Sequence, residues 1–270
     1  MTMTTYDHSA VTVRDLRASL AYYRDGLGLP VIDERTGPDR TTVTLALPGT
    51  GATWTLEEYH GVERMSAATR PCDPGFAHLC LYTGDAQGLF DHLHGKGFGS
   101  RAPVATFGDG ALAGVKAVYT LDPDGFAVEL YQHAGPAGPP TATGFFHHGL
   151  TVRNMDSALA FWRDVFGADL RYRGVQPKET VAPVVGLEPE ELDGAFVSLP
   201  GDHMSVEIFE YRGIEQHPTT ARYEDPAASR LALRVPDPEG LCERLGGDRD
   251  RNGVPRVRTP DGYPVLLSQA

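Results

Sequence analysis

Residues His8–Gly28 read HSAVTVRDLRASLAYYRDGLG, and residues His147–Gly167 read HHGLTVRNMDSALAFWRDVFG. Each stretch opens with alternating side chains, as a half-buried strand does. Each then places apolar residues at helical spacing: Leu16, Leu20, Tyr23 and Leu27 in the first, Met155, Leu159, Trp162 and Phe166 in the second. Asp15 or a neighbour is suited to cap the first of these helices. The same strand–helix head is therefore written twice.

The duplication extends outward from the heads. YHGVE at Tyr59 matches YRGIE at Tyr211, and DPGFAHLCL at Asp73 matches DPAASRLAL at Asp225. LDPDGFAVELYQ (Leu121–Gln132) matches RTPDGYPVLLSQ (Arg258–Gln269). The second copy carries extra residues around VQPKETVAPVVGLEPEELDG and is shorter ahead of VPRVRTPDG. A Pro/Gly-rich run, HAGPAGPPTATG at His133–Gly144, has the composition of a spacer between the copies. Each copy divides again. VIDER, TVTLAL and TWTLEEY are β-rich runs after the first helix, and FAHLCLYT at Phe76 starts the pattern afresh. The reading is α+β, with a βαβββ unit repeated four times over 5–62, 73–132, 145–214 and 225–270. These group into an N-terminal domain (1–134), a linker (135–144) and a C-terminal domain (145–270).

A net charge of -12 without any Lys/Arg run argues against nucleic acid or an anionic membrane as partner. No apolar run approaches the roughly 20 residues of a membrane helix, and MTMTTYDHSAVTV lacks the pattern of a secretory leader. Cys72, Cys80 and Cys242 form no CxxC pair, so a cytoplasmic protein without disulfides is expected. The expected partner is a small-molecule substrate, with self-association left open.

The heads, DPGFAHLCL and DPDGFAVELYQ together resemble the vicinal oxygen chelate superfamily. Its members include glyoxalase I, methylmalonyl-CoA epimerase, extradiol dioxygenases and bleomycin-resistance proteins. The resemblance covers essentially the whole chain and implies mixed sheets curled around a cavity, two modules to each. It also implies metal ligands on the first and last strands of a module. The alternation of side chains agrees with this: His8, Ala10 and Thr12 share one face, His78, Cys80 and Tyr82 another, Glu129 and Tyr131 a third.

At the family's ligand positions stand His8 and Thr55, His78 and Glu129, His147 and Glu207, then Arg230 and Leu266. If modules pair in chain order, His8, His78 and Glu129 hold a divalent metal. Fe(II) is then favoured over Mn, Ni, Zn or Co, because two imidazoles and one carboxylate leave open positions. His147 and Glu207 would then bond to each other, or Glu207 would pair with Arg230, in a metal-free domain. A flexible linker naturally separates finished domains, so this pairing is the expectation. The alternative pairs module 2 with module 3 and collects His78, Glu129, His147 and Glu207. His148 should face away from its neighbour and pack.

Three functions follow. The first is an extradiol-type dioxygenase, with Tyr119 near the substrate, as the resemblance implies, and Glu57 as a base or a rim residue. Gly110 stands where that branch carries a histidine. The second is a glyoxalase- or epimerase-type lyase or isomerase. The third is a metal-free drug-binding protein with an aromatic cavity around Trp54, Tyr82, Tyr119 and Tyr131.

Overall fold

Helix capping sets the rhythm of the chain. In the computed structural model, which describes residues 3–63, 65, 69–108, 110–200, 204–219 and 221–270, a strand leads four times into a helix capped by Asp or Asn. Asp15, Asp85, Asn154 and Asp237 each accept a backbone N–H from the residue three positions on, a cap of about 1 kcal/mol.

Module 1 comprises β1 (Thr5–Thr12), α1 (Leu16–Tyr23), β2 (Val31–Thr36), β3 (Arg40–Ala46) and β4 (Thr53–Tyr59). Module 2 comprises β5 (Ala77–Thr83), α2 (Ala86–Gly95), β6 (Ala105–Thr106), β7 (Lys116–Leu121) and β8 (Ala127–Gln132). Module 3 has β9 (Ala142–Thr151), α3 (Met155–Phe166), β10 (Asp169–Pro177), an additional helix α4 (Lys178–Val185), β11 (Glu191–Ser198) and β12 (Ser205–Arg212). Module 4 has β13 (Ser229–Val235), α5 (Pro238–Arg244), β14 (Asp248–Arg249), β15 (Pro255–Arg258) and β16 (Pro264–Gln269). In every module the first strand runs parallel to the last.

The modules do not pair in chain order. One sheet runs β14-β15-β16-β13-β1-β4-β3-β2 and joins modules 4 and 1; the other runs β10-β11-β12-β9-β5-β8-β7-β6 and joins modules 3 and 2. The seams are antiparallel: β1 lies against β13, with Ala10 opposite Arg230, and β5 lies against β9, with His78 opposite Gly149. The linker thus lets module 3 add directly to module 2 rather than holding two finished sheets apart. Module 4 then returns to the N-terminal strand.

The second residue set of each strand is apolar and packs against the helices. Val11, Val13, Trp54, Leu56, Leu79, Leu81, Val128, Leu130, Leu231 and Leu233 are buried in one cluster with Tyr22, Tyr23, Met155 and Trp162. At about 25 cal/mol per Å² this burial is the main force holding the sheets together. It leaves the opposite, curled faces free to carry polar chemistry. Among the described residues no helix is long and apolar enough to cross a membrane. Cys72, Cys80 and Cys242 are buried and free.

Candidate metal centre

The four central strands of the second sheet, in the order β12-β9-β5-β8, each contribute one donor: Glu207, His147, His78 and Glu129. Their donor atoms all lie within 4.8 Å of one another. His78 Nε2 is 3.0 Å from His147 Nε2, 3.4 Å from Glu129 Oε2 and 3.3 Å from Glu207 Oε2. His147 Nε2 is 3.3 Å from Glu129 Oε2 and 3.0 Å from Glu207 Oε2. Divalent transition metals bond imidazole and carboxylate at about 2.0–2.2 Å. Donors separated by 3.0–3.4 Å are close enough to share one such ion.

All four residues are buried, and burial makes their charge balance strict. Two carboxylates out of water require compensating positive charge. Burial works against protonated imidazoles here, but the contacting Glu207 and Glu129 carboxylates outweigh it and hold His147 up to about 9. His78 is raised by the same two carboxylates, again against burial. Burial opposes ionisation of Glu129 and Glu207 too, yet their contacts with the imidazoles keep both below the usual carboxylate range. Two protons are nevertheless an awkward answer. The Nε2 atoms face each other at 3.0 Å, so both cannot carry hydrogens toward the same point. Glu207 Oε2 and both Nδ1 atoms are also buried without a hydrogen-bond partner. A single divalent cation satisfies both nitrogens and both carboxylates at once, so the donor set fits one.

Gly149 makes this packing possible. It lies opposite His78 across the module seam, and a Cβ there would overlap the His78 ring. The glycine of HHGL is thus space reserved for an imidazole.

The expected His8, His78 and Glu129 set is not assembled. His8 belongs to β1 of the other sheet, where its Nδ1 lies 3.4 Å from Asp7 with the side chain 32% exposed. It cannot reach a centre built on the β9 and β5 strands, so its place is taken by its counterpart, His147. Glu57 is neither a base at this centre nor a solvated rim residue. It is buried in the first sheet, ion-paired with Arg230, and accepts the Tyr59 hydroxyl at 2.7 Å. Arg230 therefore pairs with Glu57, not with Glu207. Tyr119 does lie at the centre, its ring 5.0 Å from that of His78 and its phenol pushed up by burial and by Glu129. His148 faces away, between Ser9 Oγ (3.3 Å) and the Tyr263 hydroxyl (2.8 Å). Burial, with the other two histidines nearby, lowers it to about 3, so it packs as a neutral ring joining the sheets.

A cavity of about 910 Å³ opens over the donors, lined by Tyr119, Glu129, His147, Glu207 and Phe209. Val181, Val184 and Val185 of α4 form part of its wall. This helix comes from the extra residues that distinguish module 3 from the others. The cavity's volume suits a small organic ligand. Of the aromatics expected to form a drug-binding cavity, Tyr119 and Tyr131 line it; Tyr82 does not but stacks on Phe146, and Trp54 is buried in the core of the other sheet.

A curled eight-stranded sheet made from two βαβββ modules, with one donor on each of its four central strands, defines the class. The profile of the Glyoxalase/Bleomycin resistance protein/Dioxygenase superfamily matches residues 5–130 and 144–265, and the chain belongs to that family. A lactoylglutathione lyase of Schizosaccharomyces pombe is 24% identical over 189 residues, 59% of each chain. A 2-epi-5-epi-valiolone epimerase of Actinomyces sp is 29% identical over 126 residues, 46% of this chain and 67% of that one. The crystal structure of glyoxalase I from Zea mays superposes with a TM-score of 0.70 at 18% identity, covering 98% of this chain and 92% of that one. A putative dioxygenase from Bacillus subtilis superposes at 0.61 and 14% identity, covering 98% and 84%. At such identities these two structures speak to the fold.

Proposed function

We propose that the protein is a divalent-metal-dependent lyase or isomerase of the glyoxalase or epimerase type, acting on a small substrate with two neighbouring oxygens. The observation carrying this reading is the convergence of His78, Glu129, His147 and Glu207 beneath the cavity. A divalent cation bound there polarises carbonyl oxygen and acidifies the adjacent C–H. The protein's own part is placement and proton movement. Glu207 and Glu129 stand on the outer pair of the four strands and flank the histidines, so a substrate seated over the imidazoles has a carboxylate to either side. The converging atom of each is Oε2, so the second oxygen of either carboxylate would be left to take a proton from carbon and to return it elsewhere. Tyr119, kept protonated by burial and by Glu129, offers an O–H to a substrate oxygen. The apolar wall excludes water from the exchange.

The dioxygenase reading needed His8 as third ligand and loses that support. The metal is proposed as Zn, Ni, Co, Mn or Fe(II), since imidazole and carboxylate accept them all.

Metal analysis of the purified protein, an oxygen-electrode trace, and proton–deuterium exchange into a panel of α-hydroxyketones and 2-oxoaldehydes together test the reading. Stoichiometric metal, solvent deuterium in substrate or product and no oxygen uptake are expected. Oxygen consumption in step with product, or wild-type metal content in the His147→Ala variant, would overturn it.

A further inference from the structure

The proton-transfer reading leaves the substrate's charge open, and the cavity speaks to it. Glyoxalase-like chemistry is compatible with anionic conjugates as well as with neutral molecules; the two demand different walls. An anionic substrate taken out of water needs a cation or several N–H donors to receive it. The described residues lining the cavity include neither Lys nor Arg. Their ionisable acids are Glu129, Glu207 and Glu179. A divalent ion would cancel the first two, and Glu179 stands exposed at the rim beside Lys178.

The wall is instead a row of rings. Tyr131 meets Phe146 edge-on at 5.3 Å, Phe146 stacks on Phe196 at 5.6 Å and 20°, and Tyr172 lies 6.5 Å beyond. Phe146 also touches the His147 ring, at 4.6 Å, so the row begins at a donor. From α4, Val181 and Val184 add to the lining. Arg173 pairs with Asp193 and Asp156, and Arg212 with Asp193 and Glu210; Arg101, behind Tyr119, donates to the Thr69 carbonyl and does not line the cavity.

Building on the metal reading, we propose that the substrate is an uncharged cyclic or aromatic compound bearing two adjacent oxygens, and that anionic thiol or phosphate conjugates are excluded. The aromatic row takes a face of its ring, and the α4 valines complete the apolar lining. Gln176 and the hydroxyls of Thr106, Tyr119, Tyr131, Tyr172 and Thr180 are the uncharged polar side chains available to orient it.

The test uses the cobalt-loaded protein and two probes with one chelating head: benzohydroxamic acid, and its 4-carboxy derivative. Binding is read from the visible spectrum of the metal. The parent probe, which shares the chelating head but lacks the distal charge, should bind about tenfold tighter or better, because the carboxylate must be buried without a partner. Gln176→Lys, on the cavity wall, should narrow that gap to within about threefold by supplying an ion pair. Equal or tighter binding of the carboxylated probe by the loaded wild type overturns the uncharged-substrate proposal alone. Failure of the protein to take up cobalt removes the metal reading and this proposal together.

Discussion

At the middle of each sheet the strands meet in the same register, and different residues answer the same electrostatic problem. Cys80 stands opposite His147, and His78 opposite Gly149, in the second sheet; Ala232 stands opposite His8, and Arg230 opposite Ala10, in the first. Arg230 therefore occupies the place of His78, and His8 that of His147. Thr55 and Leu266 occupy those of Glu207 and Glu129. In the first sheet the buried acid has moved two residues along β4 to Glu57, which pairs with Arg230. The guanidinium is further held by the Thr12 hydroxyl at 3.0 Å and lies 4.1 Å from the Tyr223 ring centre. A buried carboxylate needs a cation. One sheet builds the cation into the chain, whereas the other gathers donors for an external ion. The seam residue follows suit, since glycine at 149 leaves room for a ring while alanine at 10 suffices beside a slender arginine.

That contrast breaks first at the donors. Glu207→Gln should keep the fold and reduce turnover by roughly 10²–10⁴-fold, as loss of a proton-transfer group does; solvent-deuterium exchange kinetics measure it. In the first sheet, Arg230→Met leaves the buried Glu57 with only the Tyr59 hydroxyl and the more distant Arg40, 3.5 Å away, at a cost of about 3 kcal/mol in urea unfolding. Adding Glu57→Leu should recover most of that loss, because the pair is then replaced by apolar volume. Gly149→Ala should cost about 1–3 kcal/mol through overpacking and lower metal affinity, because the His78 ring must turn away. The homologous change Ala10→Gly should leave metal content untouched.

Acidity provides a finer discriminator. His147 holds its proton up to about 9 in the metal-free protein, and a ligating imidazole must be neutral. Metal affinity should therefore rise with pH until about 9 and then level, with protons released on binding below that point. The metal-free fold should respond in the opposite sense. A raised histidine stabilises it fully below its unfolded value of about 6.5, and that contribution disappears as pH climbs through about 9. Calorimetric titration and pH-dependent melting separate the two trends. The smallest effect belongs to His8→Ala, whose partly exposed contact with Asp7 is worth at most about 1 kcal/mol. Metal content should not change.

Much of this was legible in the chain itself. The heads at His8 and His147, the PDG turns and the alternation around His78 and Glu129 gave four modules and two of the donors. Glu207 could be placed by setting VEIFEYRG against WTLEEYHG. What misled was the linker: Pro and Gly at 135–144 look like a hinge between finished domains, and that reading put His8 where His147 stands. Glu57 misled for a related reason, because alternation shows which face a side chain shares but not which cation waits across the seam.

The sequence by itself determined the βαβββ repeat, the split between an apolar side and a chemical side on each strand, and the kinds of donor available. Only the tertiary structure decided which modules share a sheet, and with that which imidazole joins His78. Facing follows from a local period of two residues, written in the order of the side chains. Partnership across a seam is made by backbone N–H and C=O groups, which every strand offers alike.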